Sequence, residues 1–364
     1  MIIGIPKEFT SEERRIALTP VGVYALTRKG HTVYIESQAG EVSGFHNRDF
    51  KQVGAEILYS HEEVFRRSEI IVKVQAPIES ESQFLERSQV VMSFLNLGLA
   101  QKPTLLNFQE NRITAIGYEL IRNQENKRPI LRAMSQIAGN LLPQIAGRLL
   151  ESQSGGRGIL LASVAGIPPA TVVILGAGVV GFHAARAFSQ LGANVLVLDK
   201  DVDRLGKIDL QFNKRVITSI VTPYNIERFT KIADVLIGAI SVHGERTPHI
   251  VSEQLVAEMK KGSVIIDVSI DEGGCIETCR PTSLSEPTYR KHDVTHYCVP
   301  NITASVARTA SYALNNVLTP LILEIAEKGI ANVMAQNKNI EDGVYLYQGN
   351  YKNPAVANYF MNGG

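Results

Sequence analysis

The chain has 364 residues, with 37 Lys and Arg against 36 Asp and Glu, and its opposite charges are well mixed. That balance predicts neither a nucleic-acid surface nor a polybasic membrane anchor. No apolar run approaches the roughly 18 residues of a membrane span, and the opening Met1-Ile-Ile-Gly-Ile-Pro-Lys-Glu8 lacks the form of a signal peptide, which predicts a cytoplasmic protein. Three cysteines are too few for a disulfide framework, and the length predicts two domains rather than one core.

In chain order, residues 1 to about 125 alternate short apolar strands with helices, as a parallel α/β domain does. Strands are expected at Ile2 to Ile5, His31 to Ile35, Glu69 to Gln75, Val90 to Phe94 and Ile113 to Tyr118. A helix opened by Thr19-Pro20 and closed by Gly30 lies between the first two. A long helical pattern then runs from Pro129 to about Ser152, where Pro143 predicts a kink. Further strands are expected at Thr171, Asn194 to Asp199, Val216 to Val221, Val235 to Ile240 and Ser263 to Val268. A helix from about Ser305 to Lys328 returns the chain to the first domain, and the last residues, with Tyr345, Tyr347, Tyr351 and Tyr359 among Asn and Gly, read as an irregular tail. The expected fold is α/β, two Rossmann-like domains with parallel sheets and an interdomain cleft. Their expected bounds are 1–128 with 305–364 for substrate, and 129–304 for the nucleotide.

The segment Thr171-Val-Val-Ile-Leu-Gly176-Ala-Gly178-Val-Val-Gly181 reads as strand, tight turn and helix, and a second strand ends in Asp199. Gly176 permits the turn, Gly178 keeps side chains away from a pyrophosphate, and Gly181 lets the helix approach the sheet. The helix N-terminus favours anionic phosphates. Asp199 is placed to accept hydrogen bonds from the ribose hydroxyls and to repel a 2′-phosphate, so NAD is the expected cofactor, tempered by the cations Lys200 and Arg204. Cys275, Cys279, His292 and His296 match no zinc spacing, so no metal is expected.

Several further motifs appear in a familiar order and spacing: Gly4-Ile-Pro-Lys-Glu8, Glu13-Arg-Arg-Ile-Ala-Leu-Thr-Pro20, Lys73-Val-Gln-Ala-Pro77, Met134-Ser135, Gly155-Gly-Arg157, Asp267-Val-Ser-Ile-Asp271-Glu-Gly-Gly-Cys275 and Tyr297-Cys-Val-Pro-Asn301. With the glycine turn, they make residues 1 to about 330 resemble the alanine dehydrogenase and pyridine nucleotide transhydrogenase family, its alanine dehydrogenase members most closely. The resemblance implies hydride transfer between NAD and the α-carbon of a small amino acid, and a homo-oligomer, in this branch a hexamer. Expected cofactor contacts are Ser135, Gly176, Gly178, Val179, Val180, Gly181, Asp199, Lys200, Arg204 and Ile240.

Carried over residue by residue, the resemblance places Arg15 on the substrate carboxylate and Asp271 beside the nicotinamide and the reacting carbon. A lysine of the family's Lys-Val-Lys-Glu-Pro motif is Gln75 here, and the general acid/base histidine of its Phe-Leu-His motif is Asn96. An amide hydrogen-bonds but does not shuttle protons near neutral pH, as releasing ammonia from an imine requires. Imine or opine-type reduction is therefore expected over plain alanine oxidation, with an amino acid, imine or keto acid as partner. True alanine dehydrogenation with relocated proton transfer and a non-catalytic NAD-binding role are the alternatives. Lys73, on the same predicted strand face as Gln75, either reaches the cleft or makes a structural ion pair. Tyr118 reads as a packed aromatic, Glu119 as an orienting carboxylate, His243 as a loop candidate for proton transfer, and Asn301 as a pocket residue.

Overall fold

A computed structural model describes residues 1–96, 102–241 and 247–352. Its contacts divide the chain into two units, Met1–Met134 with the segment from Ala304 onward, and Ser135–Thr303. The division falls inside the helix Pro129–Leu150, which is unbroken in its hydrogen-bonded assignment although Pro143 lies within it. The expected His243 lies outside the described residues.

The first domain opens with β1 (Ile2–Ile5), β2 (Thr32–Glu36), β3 (Glu56–Leu58), β4 (Ile70–Gln75), β5 (Val90–Phe94) and β6 (Thr114–Gly117), all parallel and ordered β3-β2-β1-β4-β5-β6. Runs such as Ile70-Ile71-Val72 are fully buried, as strands covered on both faces must be. The order reverses between β1 and β4. Chain leaving the carboxyl ends of those two strands, Pro6 onward and Gln75 onward, therefore meets at the crevice where open α/β sheets take ligands. The β4–β5 register shifts between Val72 and Gln75, and a bulge of this kind re-aims side chains beside a site.

The second domain contains β7 (Thr171–Leu175), β8 (Asn194–Asp199), β9 (Ile217–Ile220), β10 (Val235–Gly238), β11 (Val264–Asp267), β12 (Thr288–Lys291) and β13 (Val294–Tyr297), ordered β12-β13-β11-β10-β7-β8-β9. Among these described strands only β12 runs antiparallel. Its reversal lies between β7 and β10, with the glycine turn on one side and Ala239 and Ile240 on the other.

The return segment begins with a 3-10 turn, Ile302–Val306, before the helix Ala307–Lys328, which packs on the helix Pro20–Arg28. Here the sequence expectation needs correction. As far as residue 352 the segment is not an irregular tail: helices Ile330–Gln336 and Lys338–Glu341 lead to β14 (Val344–Tyr347) and β15 (Asn350–Tyr351), while Tyr359 lies outside the described residues. β14 pairs antiparallel with β6, so the first sheet is parallel only up to that edge. Val344, Tyr345 and Leu346 are buried, and that burial holds the strand in place.

Candidate active site

The nucleotide turn is tightly specified. A Cβ on Gly176, at φ 106°, would lie 2.4 Å from the Ala239 carbonyl oxygen, and one on Gly181 would lie 1.8 Å from that of Gly176. A Cβ on Gly178 would meet nothing within 4 Å. Open space therefore faces the first turn of the helix Val179–Gln190, whose N-terminus has no side-chain cap. Uncapped N–H groups beside room for a phosphate fit a dinucleotide. Val179 and Val180 are half-buried on that turn, Ser135 is half-buried on its own helix, and Ile240 donates its N–H to Ser269 Oγ at 2.9 Å.

Asp199 does more than the ribose role expected of it. Its side chain is buried at the end of β8, with Oδ2 accepting the Ala177 N–H at 2.5 Å and Oδ1 accepting the Asp201 N–H at 2.9 Å. It therefore pins the glycine turn, and each oxygen keeps a second lone pair for a hydroxyl. Lys200 is exposed, and Arg204 lies 4.0 Å from Asp199 but 3.2 Å from Asp201, which divides its charge. Substituting Asp199→Ser should shift the kcat/KM ratio of NAD to NADP by about tenfold toward NADP, the worth of one charged hydrogen bond. Steady-state kinetics with both nucleotides check this, and an unchanged ratio would remove Asp199 from cofactor choice.

Asp271 lies on a 3-10 turn, Val268–Glu272, just past β11. The turn is capped by Asp267, which opens the same motif without a role assigned from sequence, and whose carboxylate accepts the Ser269 and Cys275 N–H groups at 2.9 Å each. Burial pushes the Asp267 carboxyl up. Asp271 is thereby left exposed, its Oδ1 accepting the N–H of Asn301 at 3.2 Å, and Asn301 has φ 51°. The cysteine and histidine side chains nearby take separate partners. Cys275 packs against Asp267, His292 bonds Glu253 at 2.7 Å, and His296 stacks on Tyr289 and bonds Thr278 at 2.8 Å. Among the described residues no group of such side chains is arranged for a metal.

In the first domain, Arg15 is buried, with Nε and Nη2 on the two Glu13 carboxylate oxygens at 2.7 and 2.5 Å. Its Nη1 is 3.6 Å from Met134 Sδ. Glu13, unassigned from the sequence, thus holds the guanidinium plane and occupies its side edge. Gln75 is half-buried and its Oε1 accepts from Thr10 Oγ1 at 3.3 Å. Asn96 is exposed at φ 42°, a conformation asparagine tolerates well. Its N–H donates to Glu119 Oε1 at 2.7 Å, Leu95 donates to Oε2 at 3.2 Å, and the Tyr345 hydroxyl donates to Oε1 at 2.8 Å. Glu119 therefore orients the Asn96 backbone, and burial pushes its carboxyl up.

Lys73 does not reach a ligand crevice as one expectation had it. Its ammonium is buried, 2.5 Å from Glu81 and 3.6 Å from Glu8. The bulge after Val72 and these two carboxylates account for the difference, since a buried ammonium must be paired. Tyr118 is fully buried edge-on to Phe94 at 5.4 Å, a packed aromatic.

Two doubly wound parallel sheets, each with a switch-point crevice and one of them carrying a dinucleotide turn, define a two-domain nucleotide-dependent oxidoreductase. The family models "Alanine dehydrogenase/PNT, N-terminal domain" and "Alanine dehydrogenase/PNT, C-terminal domain" match residues 4–138 and 143–354. The alanine dehydrogenase of Mycolicibacterium smegmatis is 39% identical over 357 residues, covering 98% of this chain and 96% of the relative. That of Methanococcus maripaludis is 41% identical over 359 residues, with the same coverage. A solved L-alanine dehydrogenase superposes with a TM-score of 0.94 at 40% identity, covering 100% of this chain and 99% of the other. A transhydrogenase from Sinorhizobium meliloti, at 20% identity and a TM-score of 0.81 over 98% of this chain and 100% of the other, shares the fold. The chain belongs to the alanine dehydrogenase/PNT family and is an NAD-dependent oxidoreductase acting on CH–NH2 groups. Among its described residues no helix is long and apolar enough to cross a membrane.

Proposed function

We propose that the protein transfers hydride at the α-carbon of an amino acid, imine or keto acid other than alanine and pyruvate, with imine or opine-type reduction favoured over alanine oxidation. One observation carries this: the two positions expected to bear a lysine and a histidine hold amides, Gln75 and Asn96. The Thr10 bond to Gln75 Oε1 leaves the amide NH2 as the group to donate to a substrate oxygen, and Asn96 is held through its backbone by Glu119. Neither can supply the proton transfers of water addition and ammonia release. Reducing an imine that is already formed asks for none of that water chemistry.

Arg15 is the proposed carboxylate anchor, with its plane fixed by Glu13. Asp271 is proposed to face the nicotinamide and the reacting carbon, with Asn301 beside it. The nucleotide, held at Gly176 to Gly181 and Asp199, supplies the hydride donor or acceptor. On this reading the first domain binds substrate, the second binds NAD, and the protein is a cytoplasmic homo-oligomer, a hexamer by family resemblance. The identity to alanine dehydrogenases supports the second reading, plain alanine oxidation with proton transfer relocated. The two are separated by NADH consumption with preformed cyclic imines, with keto acids plus primary amines, and with pyruvate plus ammonia. Faster turnover of pyruvate and ammonia than of any imine would overturn the first reading.

A further inference from the structure

The two chain segments that leave β1 and β4 at the switch point of the first sheet are tied to each other through one histidine. His61 opens the helix His61–Arg66, and both of its ring nitrogens face carboxylates. Nδ1 lies 2.6 Å from Glu36 Oε2, at the end of β2, and Nε2 lies 3.1 Å from Glu81 Oε1, on the helix Glu79–Ser82. Each carboxylate also holds a main-chain N–H of one segment. Glu36 Oε2 accepts that of Lys7 at 2.7 Å, just past β1, and Glu81 Oε2 accepts that of Ile78 at 3.0 Å, just past β4. Lys73 and Glu8 continue the row, with Glu8 taking the N–H groups of Val74 and Gln75 at 2.6 and 3.3 Å.

An ionised carboxylate only accepts hydrogen bonds, so both imidazole nitrogens carry protons and the ring between them is a cation. Phe65 and Phe84 flank it at ring distances of 5.1 and 6.4 Å. Among the described residues, the charged groups facing it are Glu36 and Glu81, with Lys73 and Glu8 beyond Glu81. On its own helix Glu62 and Glu63 pair with Arg66 and Arg67. Burial alone would discharge the ring, but its bonds to Glu36 and Glu81 hold it up at about 9. Buried ion pairs are commonly no better for stability than apolar packing. What apolar side chains could not do is fix the N–H groups of Lys7, Val74, Gln75 and Ile78. Those groups belong to the two segments that Thr10 and Gln75 join side chain to side chain at 3.3 Å.

We propose that His61 is a positioning residue of the substrate half: as a cation it straps the segment after β1 to the segment after β4, and so sets the affinity for substrate. This rests on the reading of Arg15 and Gln75 as substrate contacts. The strap touches no substrate and passes it no proton, so the chemistry left to Gln75 and Asn96 is unaltered. Once His61 is neutral, one ring nitrogen becomes an acceptor facing a carboxylate, and that side of the strap is repelled instead of held. Either Glu36 with Lys7 or Glu81 with Ile78 is then released. Because the folded value is raised, the hold is complete below the ordinary imidazole value of about 6.5 and is lost as pH rises through about 9. Substrate binding is therefore firm at neutral pH and loosens in alkali.

The test follows KM for a keto acid, at saturating NADH and primary amine, between pH 6 and 10 in the full-length parent, His61→Gln and Glu36→Gln. In the parent that KM should rise about tenfold from pH 8 to 10, with little change in kcat and none in KM for NADH. His61→Gln should show the raised KM throughout and no such rise. Glu36→Gln still accepts from Lys7 but no longer charges the site, so it should match the parent at pH 6 and begin its rise about one pH unit earlier or more. A merely structural loss would not move that midpoint. No rise in the parent, a rise that survives in His61→Gln, or one whose midpoint is unmoved in Glu36→Gln would overturn the strap and leave the dehydrogenase reading standing. No turnover by the parent on any substrate would sink the dehydrogenase reading instead. In that case amide exchange decides: protection of the Lys7 and Ile78 N–H groups should fall above pH 9 in the parent and already at pH 7 in His61→Gln. Equal protection in parent and variant would overturn the strap.

Discussion

Replacing Lys73 with methionine should destabilise the first domain by about 3–5 kcal/mol, the cost of removing one partner from a buried ion pair. The ammonium stands between Glu81 and Glu8, all three nearly inaccessible to water. Methionine fills the volume but leaves two carboxylates facing one another. Glu81 retains His61 and the Ile78 N–H, at 3.1 and 3.0 Å, so most of the strain falls on Glu8. Without the Lys73 pull, burial raises the Glu8 carboxyl further, and protonating it relieves the repulsion. The deficit should therefore shrink as pH falls, as Glu8 takes up a proton, and grow as pH rises. Differential scanning calorimetry should register the loss as a fall of about 6–20 °C in the melting of that domain at pH 8. A deficit under ~1 kcal/mol at pH 8, or one that grows toward pH 5, would count against this account of the cluster.

The double substitution Gln75→Lys with Asn96→His should raise alanine oxidation by about 10²–10⁴-fold, the usual worth of a general acid or base. The backbone is already suited to it. Histidine, like asparagine, is enriched among non-glycine residues at positive φ, and Asn96 has φ 42°. The main-chain bond from residue 96 to Glu119 does not depend on the side chain. Gln75→Lys alone adds a second cation for the substrate carboxylate and should act mainly on KM. Asn96→His should act mainly on kcat, with a pH profile that takes on a limb near the ordinary imidazole value of about 6.5. If the double variant gains nothing on alanine while keeping NADH affinity, the amides are not what separates this protein from its relatives.

Much of this was legible in the sequence because it is local. The strands Ile2–Ile5, Val90–Phe94 and Asn194–Asp199 occur where apolar runs bounded by turn residues put them. The expectations that failed involved pairing partners far away or unusual turns. β14 is only Val-Tyr-Leu-Tyr between Gly343 and Gln348-Gly349, and its apolar side chains read as strand only once β6, some two hundred residues earlier, offers an edge. The β12–β13 hairpin turns at His292-Asp293, both at positive φ, where Asn-Gly is the usual signal. In the site, Arg15 stood out by its motif, but Glu13, Glu81 and His61 carry no pattern of their own. Their roles arise from buried groups, distant in sequence, that need partners of opposite charge.

The pairing of β14 with β6 also bears on how the chain is made. Roughly 230 residues separate the end of β6 at Gly117 from Val344, and the whole second domain lies between them. At a synthesis rate of about 5–20 residues per second, the ribosome needs on the order of 10–45 s to deliver the covering strand. For that interval β6 is an open edge, of the kind that recruits strands from other chains. The second domain, continuous in sequence, can fold while it waits. The protein is therefore completed inside out in time: the domain that begins the chain is the last to close.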